Sequence, residues 1–368
     1  MQCQRCLLSD DIEGVIMGKT QCNYCDLHDK LDKQYPVSMD LHLKQIEEIR
    51  RRGKKSKYDC LIGISGGIDS SYMVHLARIS KLRALLFHFD NGYNTAIAES
   101  NITAMVERTG FDFVRIRVND IEYNRLNLAF LKAGVSDVDI PNDIAMAKLM
   151  LEVAKQYKVK SILNGHSFRT EGSCPIGWTY MDGAYVADVY RKEYGTELKN
   201  YPLLTVWDQW FAAMRGIKHY RILYHLNYHK NATSVLLKHL YRWQNYGGHH
   251  CENEYTMFAG WWISRKFGIE KAIVEYSAFI RSGMISKQQA VAEMRTVDML
   301  SAEINKKISS KLGFYDIERM DMCRLFLKQK TYRDFRTYKQ TFEKLRPLIW
   351  LGVKLGFLPE TFYTKYAK

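Results

Sequence analysis

Ser65, Gly66, Gly67, Asp69, Ser70 and Ser71 stand between an apolar run, Cys60-Leu61-Ile62-Gly63-Ile64, and a second one, Tyr72 to Ala77. That order predicts a strand, a glycine turn and the start of a helix. The first N–H groups of a helix have no intrahelical partner, and the helix dipole favours negative charge in front of them. Glycines let the main chain come close to an anion's oxygens, and three serine hydroxyls add donors. Asp69 is the odd member, because a carboxylate beside phosphates makes sense if it shares Mg²⁺ or caps the helix. The spacing fits neither G-x-x-x-x-G-K-[ST] nor G-x-G-x-x-G.

The run resembles the SGG-x-DS pyrophosphate loop of the ATP pyrophosphatases, which split ATP between its α and β phosphates. The resemblance implies an ATP site on Ser65, Gly66, Gly67, Asp69, Ser70 and Ser71, with Asp69 on magnesium; the bland alternative is an ordinary glycine turn.

Cys3-x-x-Cys6 and Cys22-x-x-Cys25 form two knuckles fifteen residues apart, with few apolar residues between them. Four thiolates at that spacing suit a tetrahedral structural Zn²⁺, whose binding would supply folding energy that the segment lacks. An iron–sulfur centre or a redox pair is the competing reading. His28 reads as a surface residue.

Three further groups lie where an open parallel sheet places its ligands, beyond the carboxyl ends of strands. His88-Phe89-Asp90-Asn91 ends one apolar strand, and Phe89 with its neighbours is placed to line an adenine pocket. Asn164-Gly165-His166 ends another strand and runs on to Glu171-Gly172, so Asn164, Gly165 and His166 are candidate ATP contacts. Glu171 is a candidate to hold Mg²⁺ with Asp69 or to orient an acceptor. The run Tyr246-Gly247-Gly248-His249-His250-Cys251-Glu252-Asn253-Glu254 packs histidines and carboxylates into an aromatic region. Its ligands are consecutive rather than at helical spacing, which favours substrate contact over metal; His249 and Glu252 are the candidate catalytic pair.

The elements that must hold these groups alternate strand and crossover helix, which predicts a parallel-sheet, Rossmann-like α/β core. The expected strands are Asp59 to Ile64, Arg83 to Phe89, Phe113 to Val118 and Val159 to Leu163. Expected helices include Leu41 to Arg52, Asp69 to Ile79, Asn94 to Thr109 and Ala145 to Tyr157. Beyond Trp178 the periodicity turns helical, with helices expected over Trp207 to Gly216, Leu223 to Tyr246, Ile269 to Ile280, Ser286 to Met294 and Ile317 to Leu327. This divides the chain into a zinc-binding module (1–40), an ATP-binding α/β domain (41–200) and a mainly helical substrate or partner domain (201–368).

The 368 residues are 46% apolar, enough for a sizeable core, and carry a formal charge of +14. No eighteen-residue apolar run and no secretory leader occur, so a cytoplasmic protein without a membrane span is expected. From Arg324 to Lys368 eleven Lys or Arg face three acidic residues among aromatics, a basic surface for solvent, RNA or a docking partner.

Taken together, the paired knuckles, the Ser65 to Ser70 loop, the Asn164 to Gly172 turn and the Trp243 to Glu254 run continuing into Lys266-Phe267-Gly268-Ile269 resemble the N-acetyl sugar amidotransferases of lipopolysaccharide and flagellin sugar biosynthesis. The resemblance spans nearly the whole chain. It implies the adenine nucleotide alpha-hydrolase-like (PP-loop) fold, and conversion of an acetamido group on a sugar, nucleotide-linked, to an acetamidino group. Ammonia would come from a glutaminase subunit resembling that of imidazole glycerol phosphate synthase, often with a cyclase-like companion. Implied cofactors are ATP, Mg²⁺ and Zn²⁺. A tRNA-modifying adenylase or thiolase is the enzyme alternative, although no cysteine pair lies near the loop and a nucleic acid partner is not expected; Cys174, Cys251 and Cys323 stand singly. A catalytically inactive nucleotide-binding regulator is the second alternative.

Overall fold

A computed structural model describes residues 1–12, 14–175, 178–247, 251–294, 302–313, 330–354 and 363. The expected helix at 317–327 and Cys323 lie outside them. Five strands form one parallel sheet: β1 (Cys60–Gly63), β2 (Ala84–Asp90), β3 (Asp112–Arg117), β4 (Ser161–Leu163) and β5 (Lys218–Tyr220), in the order β3-β2-β1-β4-β5. Alternate side chains enter two separate cores, as the two-residue period of a strand requires. Leu61, Leu85, Phe87 and Ile162 face one core, whereas Ile62, Ala84, Leu86 and Leu163 face the other.

The second of these cores is closed by α2 (Met39–Gly53), α3 (Ile68–Ile79), α4 (Ala96–Thr109) and α9 (Lys230–Tyr241), through Ile46, Ile49, Met73, Val74, Ile102, Met105 and Leu237. The first is closed by α5 (Asp120–Ala133), α6 (Ile140–Gln156), α7 (Gly183–Tyr194) and α10 (Glu254–Phe267), through Leu126, Phe130, Ile144, Val153, Tyr185, Phe258 and Trp262. The cysteine knuckles and α1 (Asn23–Gln34) meet α10 and α11 (Ala272–Arg281) in a third apolar cluster with Leu8, Trp178, Ile263 and Val274. Helices α12 (Lys287–Met294), α13 (Ala302–Lys311), α14 (Tyr338–Lys344) and α15 (Arg346–Lys354) follow. No helix among the described residues is long and apolar enough to cross a membrane.

The parallel α/β core, the cysteine cluster and the mostly helical C-terminal region match the expected fold class. Some elements differ. Lys218–Tyr220 is a strand in the break between the helices expected at Trp207 to Gly216 and Leu223 to Tyr246; it lies at the sheet edge with Lys218 and His219 exposed, so it lacks the apolar signature of a central strand. Helix α5 was not expected, and α6 starts five residues earlier than its apolar period suggests, with Pro141 in its first turn. His28 is buried rather than exposed, edge-on to Phe168. Helix α8 (Val206–Met214) buries none of its residues and turns Trp207, Trp210, Phe211 and Met214 outward.

The strand order places β2 on one side of β1 and β4 on the other, so a crevice opens where β1 and β4 end. The turn that enters it is tightly constrained. Gly66 has φ +82°, and a Cβ there would stand 2.4 Å from the Ala98 carbonyl oxygen on α4. Its own carbonyl accepts from Trp243 Nε1 (3.0 Å) and Asn101 Nδ2 (3.1 Å). Gly66→Ala should therefore lower unfolding free energy by about 2–4 kcal/mol, read as a shifted midpoint in urea; an unchanged midpoint would contradict this turn.

Candidate active site and metal centre

Gly67 is the N-cap of α3 and offers no side-chain cap, so the first turn keeps its donors for another partner. In the loop, hydroxyls already stand on some of these groups. Ser65 N donates to Ser70 Oγ (3.2 Å), Gly67 N to Ser65 Oγ (3.3 Å) and Ile68 N to the Tyr246 hydroxyl (3.0 Å). A Cβ on Gly67 would meet Glu252 Oε1 at 3.0 Å, Ser65 Oγ at 3.1 Å and the Tyr246 hydroxyl at 3.2 Å. The bare glycine thus faces a small polar cradle, of the kind in which phosphate oxygens replace hydroxyls on backbone N–H groups. Ser71 is fully buried, unlike Ser65 and Ser70, and its Oγ has no hydrogen-bond partner among the described residues.

The carboxyl end of β4 packs on this loop. A Cβ on Gly165 would lie 3.6 Å from the Asp69 carbonyl carbon. Asn164 Oδ1 accepts from His166 N, and His166 Nε2 donates to the Gly172 carbonyl while Nδ1 accepts from the Tyr224 hydroxyl. Both ring nitrogens are engaged as in a neutral imidazole, and burial holds His166 below the usual histidine range. Phe89 pairs with Ile116 of β3 and packs partly buried against the core, next to His88, whose Nδ1 donates to the Ile64 carbonyl.

Carboxylates gather beside the cradle. Asp69 Oδ1 accepts from the Tyr228 hydroxyl (2.6 Å), and Asp69 Oδ2 lies 3.7 Å from Lys230 Nζ. Lys230 Nζ also meets Glu275 Oε1 at 2.6 Å. Glu171 Oε1 accepts from Ser167 N, and burial, reinforced by the Asp69 charge and opposed by Lys230, pushes its carboxyl well above the ordinary range. Glu252 arrives from 187 positions along the chain, 3.5 Å from Ser65 Oγ, with Oε2 buried and unpartnered among the described residues. Burial raises its carboxyl to about 7, with the Asp69 charge adding to the effect.

Glu252 is placed by backbone pairing. Its carbonyl accepts from Thr95 N (3.0 Å), and Asn94 bridges antiparallel to Asn253. Asn253 caps α10 through Oδ1 and donates from Nδ2 to Asn91 and Asn94. The structure therefore brings Ser65, Gly66, Gly67, Asp69, Ser70, Asn164, Gly165, His166, Glu171 and Glu252 to the ends of β1 and β4. His249, with Gly248 and His250, lies outside the described residues. Tyr228, Lys230, Tyr246 and Glu275 are additional members. Lys230 carried no signal in the sequence, because the helix expected over Leu223 to Tyr246 puts it in an interior turn, whereas the structure makes it the first residue of α9, where a cation opposes the helix dipole.

Cys3, Cys6, Cys22 and Cys25 present sulfurs that all lie within 4.8 Å of one another. Three separations are 3.8, 3.7 and 3.7 Å. A tetrahedron with metal–sulfur bonds of about 2.3 Å has sulfur–sulfur edges of about 3.8 Å, so the cluster fits one tetrahedral ion such as zinc. Arg281 donates from Nε to Cys25 Sγ (3.3 Å) and from Nη2 to Cys6 Sγ (3.2 Å), as outer partners of thiolates do. No other group of three or more His, Cys, Asp or Glu atoms among the described residues is close enough to share a metal. Asp69 and Glu171 are therefore not a preassembled magnesium cage; magnesium ordinarily takes one or two carboxylates and completes its shell with phosphates and water.

Residues 241–346 match the family described as "LPS biosynthesis protein WbpG-like, C-terminal domain". No curated protein matches the chain in sequence. Among solved structures, the chain is similar to an NMN synthetase from Francisella tularensis at 11% identity, covering 76% of this chain and 97% of that one, with a TM-score of 0.30. It is also similar to the U34-tRNA thiolase NcsA from Methanococcus maripaludis with its [4Fe-4S] cluster, at 13% identity over 92% of this chain and 99% of that one, with a TM-score of 0.32. At those scores neither likeness carries an inference about this chain.

Two outcomes follow. Titration with a thiol-reactive mercurial should release about one zinc per chain and expose the first 35 residues to protease, whereas a metal-free protein with the same protease resistance would contradict a metal-held module. Burial also makes the folded protein hold the Glu252 proton above the unfolded value, so this contribution to stability is full below about pH 4.5 and lost as pH rises through about 7. Relative to Glu252→Gln, the wild type should lose roughly 1–3 kcal/mol between pH 5 and pH 8 in denaturant titrations; a constant difference would contradict a buried carboxyl.

Proposed function

We propose that the chain is an ATP-dependent amidotransferase that converts an acetamido group on a nucleotide-linked sugar into an acetamidino group. The observation that carries this reading is the meeting of Glu252 with the glycine loop. A carboxylate within the segment that matches a lipopolysaccharide-biosynthesis domain stands 3.5 Å from the Ser65 hydroxyl, over the bare Gly67. A helix N-terminus, serine hydroxyls and a carboxylate suit a triphosphate, and the raised Glu252 carboxyl suits proton transfer near neutral pH.

The chemistry proceeds in two displacements. The acetamido oxygen attacks the α phosphorus of ATP, the bond to the β-phosphate oxygen breaks, and pyrophosphate leaves. The amide oxygen is then a leaving group. Ammonia adds to the activated carbon and gives up one proton, and AMP departs with the former amide oxygen, leaving the amidinium C=NH₂⁺, the protonated form of the acetamidino group. Ser65, Gly66, Gly67 and Ser70 hold the phosphates through backbone and hydroxyl donors, while Asn164, Gly165 and His166 close the β4 side. Magnesium, when bound with the nucleotide on Asp69, would supply charge neutralisation. Glu171 orients the acceptor, and Glu252, with His249, receives the proton that ammonia loses. Positioning and charge stabilisation dominate the rate. Ammonia comes from a partner glutaminase, with its cyclase-like companion, and the four-cysteine zinc site is structural.

The protein mixed with ATP, Mg²⁺, ammonium and a panel of nucleotide-linked acetamido sugars should release AMP and pyrophosphate and yield a product about 1 Da lighter than the sugar. Glu252→Gln should slow this turnover by about 10²-fold while still binding ATP. Formation of ADP, or pyrophosphate release dependent on tRNA alone, would contradict the reading.

A further inference from the structure

Lys230 occupies a costly position. It begins α9, where the dipole disfavours a cation, and its side chain is only 16% exposed. Its neighbours offset that cost. Glu275 Oε1 lies at 2.6 Å and Asp69 Oδ2 at 3.7 Å, and although burial works against the charge, these carboxylates hold the ammonium above the usual lysine range. Asp69 and Glu275 pair with this ammonium, and the Glu171 charge also acts on it. The Tyr228 hydroxyl fixes the opposite oxygen of Asp69 at 2.6 Å, so the Asp69–Lys230 contact is directed.

The location bears on phosphate. Asp69 is the second residue of α3, two positions after the Gly67 cap, so Lys230 Nζ sits one carboxylate away from the loop's donors. Its anchor is firm, because Glu275 belongs to α11, which also gives Arg281 to Cys25 and Cys6 and Ser277 Oγ to Leu7 N (3.2 Å). An ammonium has three donors arranged around a point charge, so Glu275 can retain it while the contact to Asp69 is exchanged for a phosphate oxygen.

We propose that Lys230 is a phosphate-contacting residue of this site, which rests on Asp69 and Glu275 as seen here and turns to the β and γ phosphates, and then to the departing pyrophosphate, when Asp69 engages the metal that accompanies the nucleotide. The proposal rests on the ATP-cleaving reading above and adds a residue to it. A lysine present only to neutralise buried carboxylates would touch no phosphate.

The test is calorimetric binding of inorganic pyrophosphate with Mg²⁺, and separately of AMP, to the full-length protein and to Lys230→Met and Lys230→Arg. Lys230→Met should weaken pyrophosphate by about 30-fold and leave AMP within about twofold; Lys230→Arg should weaken pyrophosphate by about fivefold, because guanidinium does not reproduce the ammonium's reach. Where Lys230→Met does not fold, Lys230→Arg, which keeps the charge among the carboxylates, decides alone. Unchanged pyrophosphate affinity in a folded variant, or equal loss for pyrophosphate and AMP, would overturn the proposal. Failure of the wild type to bind either pyrophosphate or ATP would instead refute the ATP-cleaving reading itself.

Discussion

An excess of carboxylate in a poorly solvated crevice is the constraint around which this molecule is organised. Asp69, Glu171, Glu252 and Glu275 converge on the ends of β1 and β4, and the Lys230 ammonium stands among them. Charges of one sign cannot all persist where water is scarce, so Glu171 and Glu252 hold their protons more tightly than exposed carboxyls do. Such a site disfavours a bare anion and favours one that brings its own cation. Under the proposed function, a triphosphate with magnesium meets that condition, and the N-terminus of α3 with the unsubstituted Gly67 would give its phosphates a place to lie.

The remainder of the architecture keeps that crowd in position. The reversal of strand order between β1 and β4 opens the crevice, and α4, Trp243 and Asn101 press the Gly66 turn into shape. Backbone pairing at Thr95 and Asn94 carries Glu252 to the loop from far along the chain. On the other side, α11 joins the cysteine module to Lys230: Arg281 reaches two of the four sulfurs and Glu275 reaches the ammonium. A metal that fixes the amino-terminal knuckles therefore also braces the helix behind the charged cluster, which gives a closed four-sulfur site a place in the function without any chemistry of its own.

The parts of this arrangement that are legible in sequence are the local ones. Ser65 to Ser71 announces a strand–turn–helix because apolar runs flank its glycines, and the cysteine spacing fixes a tetrahedral site without reference to the remaining chain. Strand β5 was hidden because three residues with two exposed carry no apolar pattern, and α5 was likewise unforeseen. Tyr228, Lys230 and Glu275 are members of the site only through contacts across the fold: Tyr228 reaches Asp69 over 159 positions, and Lys230 reaches Glu275 over 45. Glu252 was visible as one carboxylate in a dense polar run, but its approach to Ser65 depends on the pairing of Asn94 with Asn253, which no local pattern encodes.

The central claim is that the acetamido oxygen leaves on the nucleotide. An acceptor sugar carrying ¹⁸O in its acetamido carbonyl, turned over with ATP and ammonium and followed by mass spectrometry, tests it directly. The account predicts that the heavy oxygen appears in the phosphate of AMP, one atom for each acetamidino group formed, while the pyrophosphate stays unlabelled. Heavy oxygen retained in the sugar, released to water, or found in orthophosphate beside ADP would contradict it.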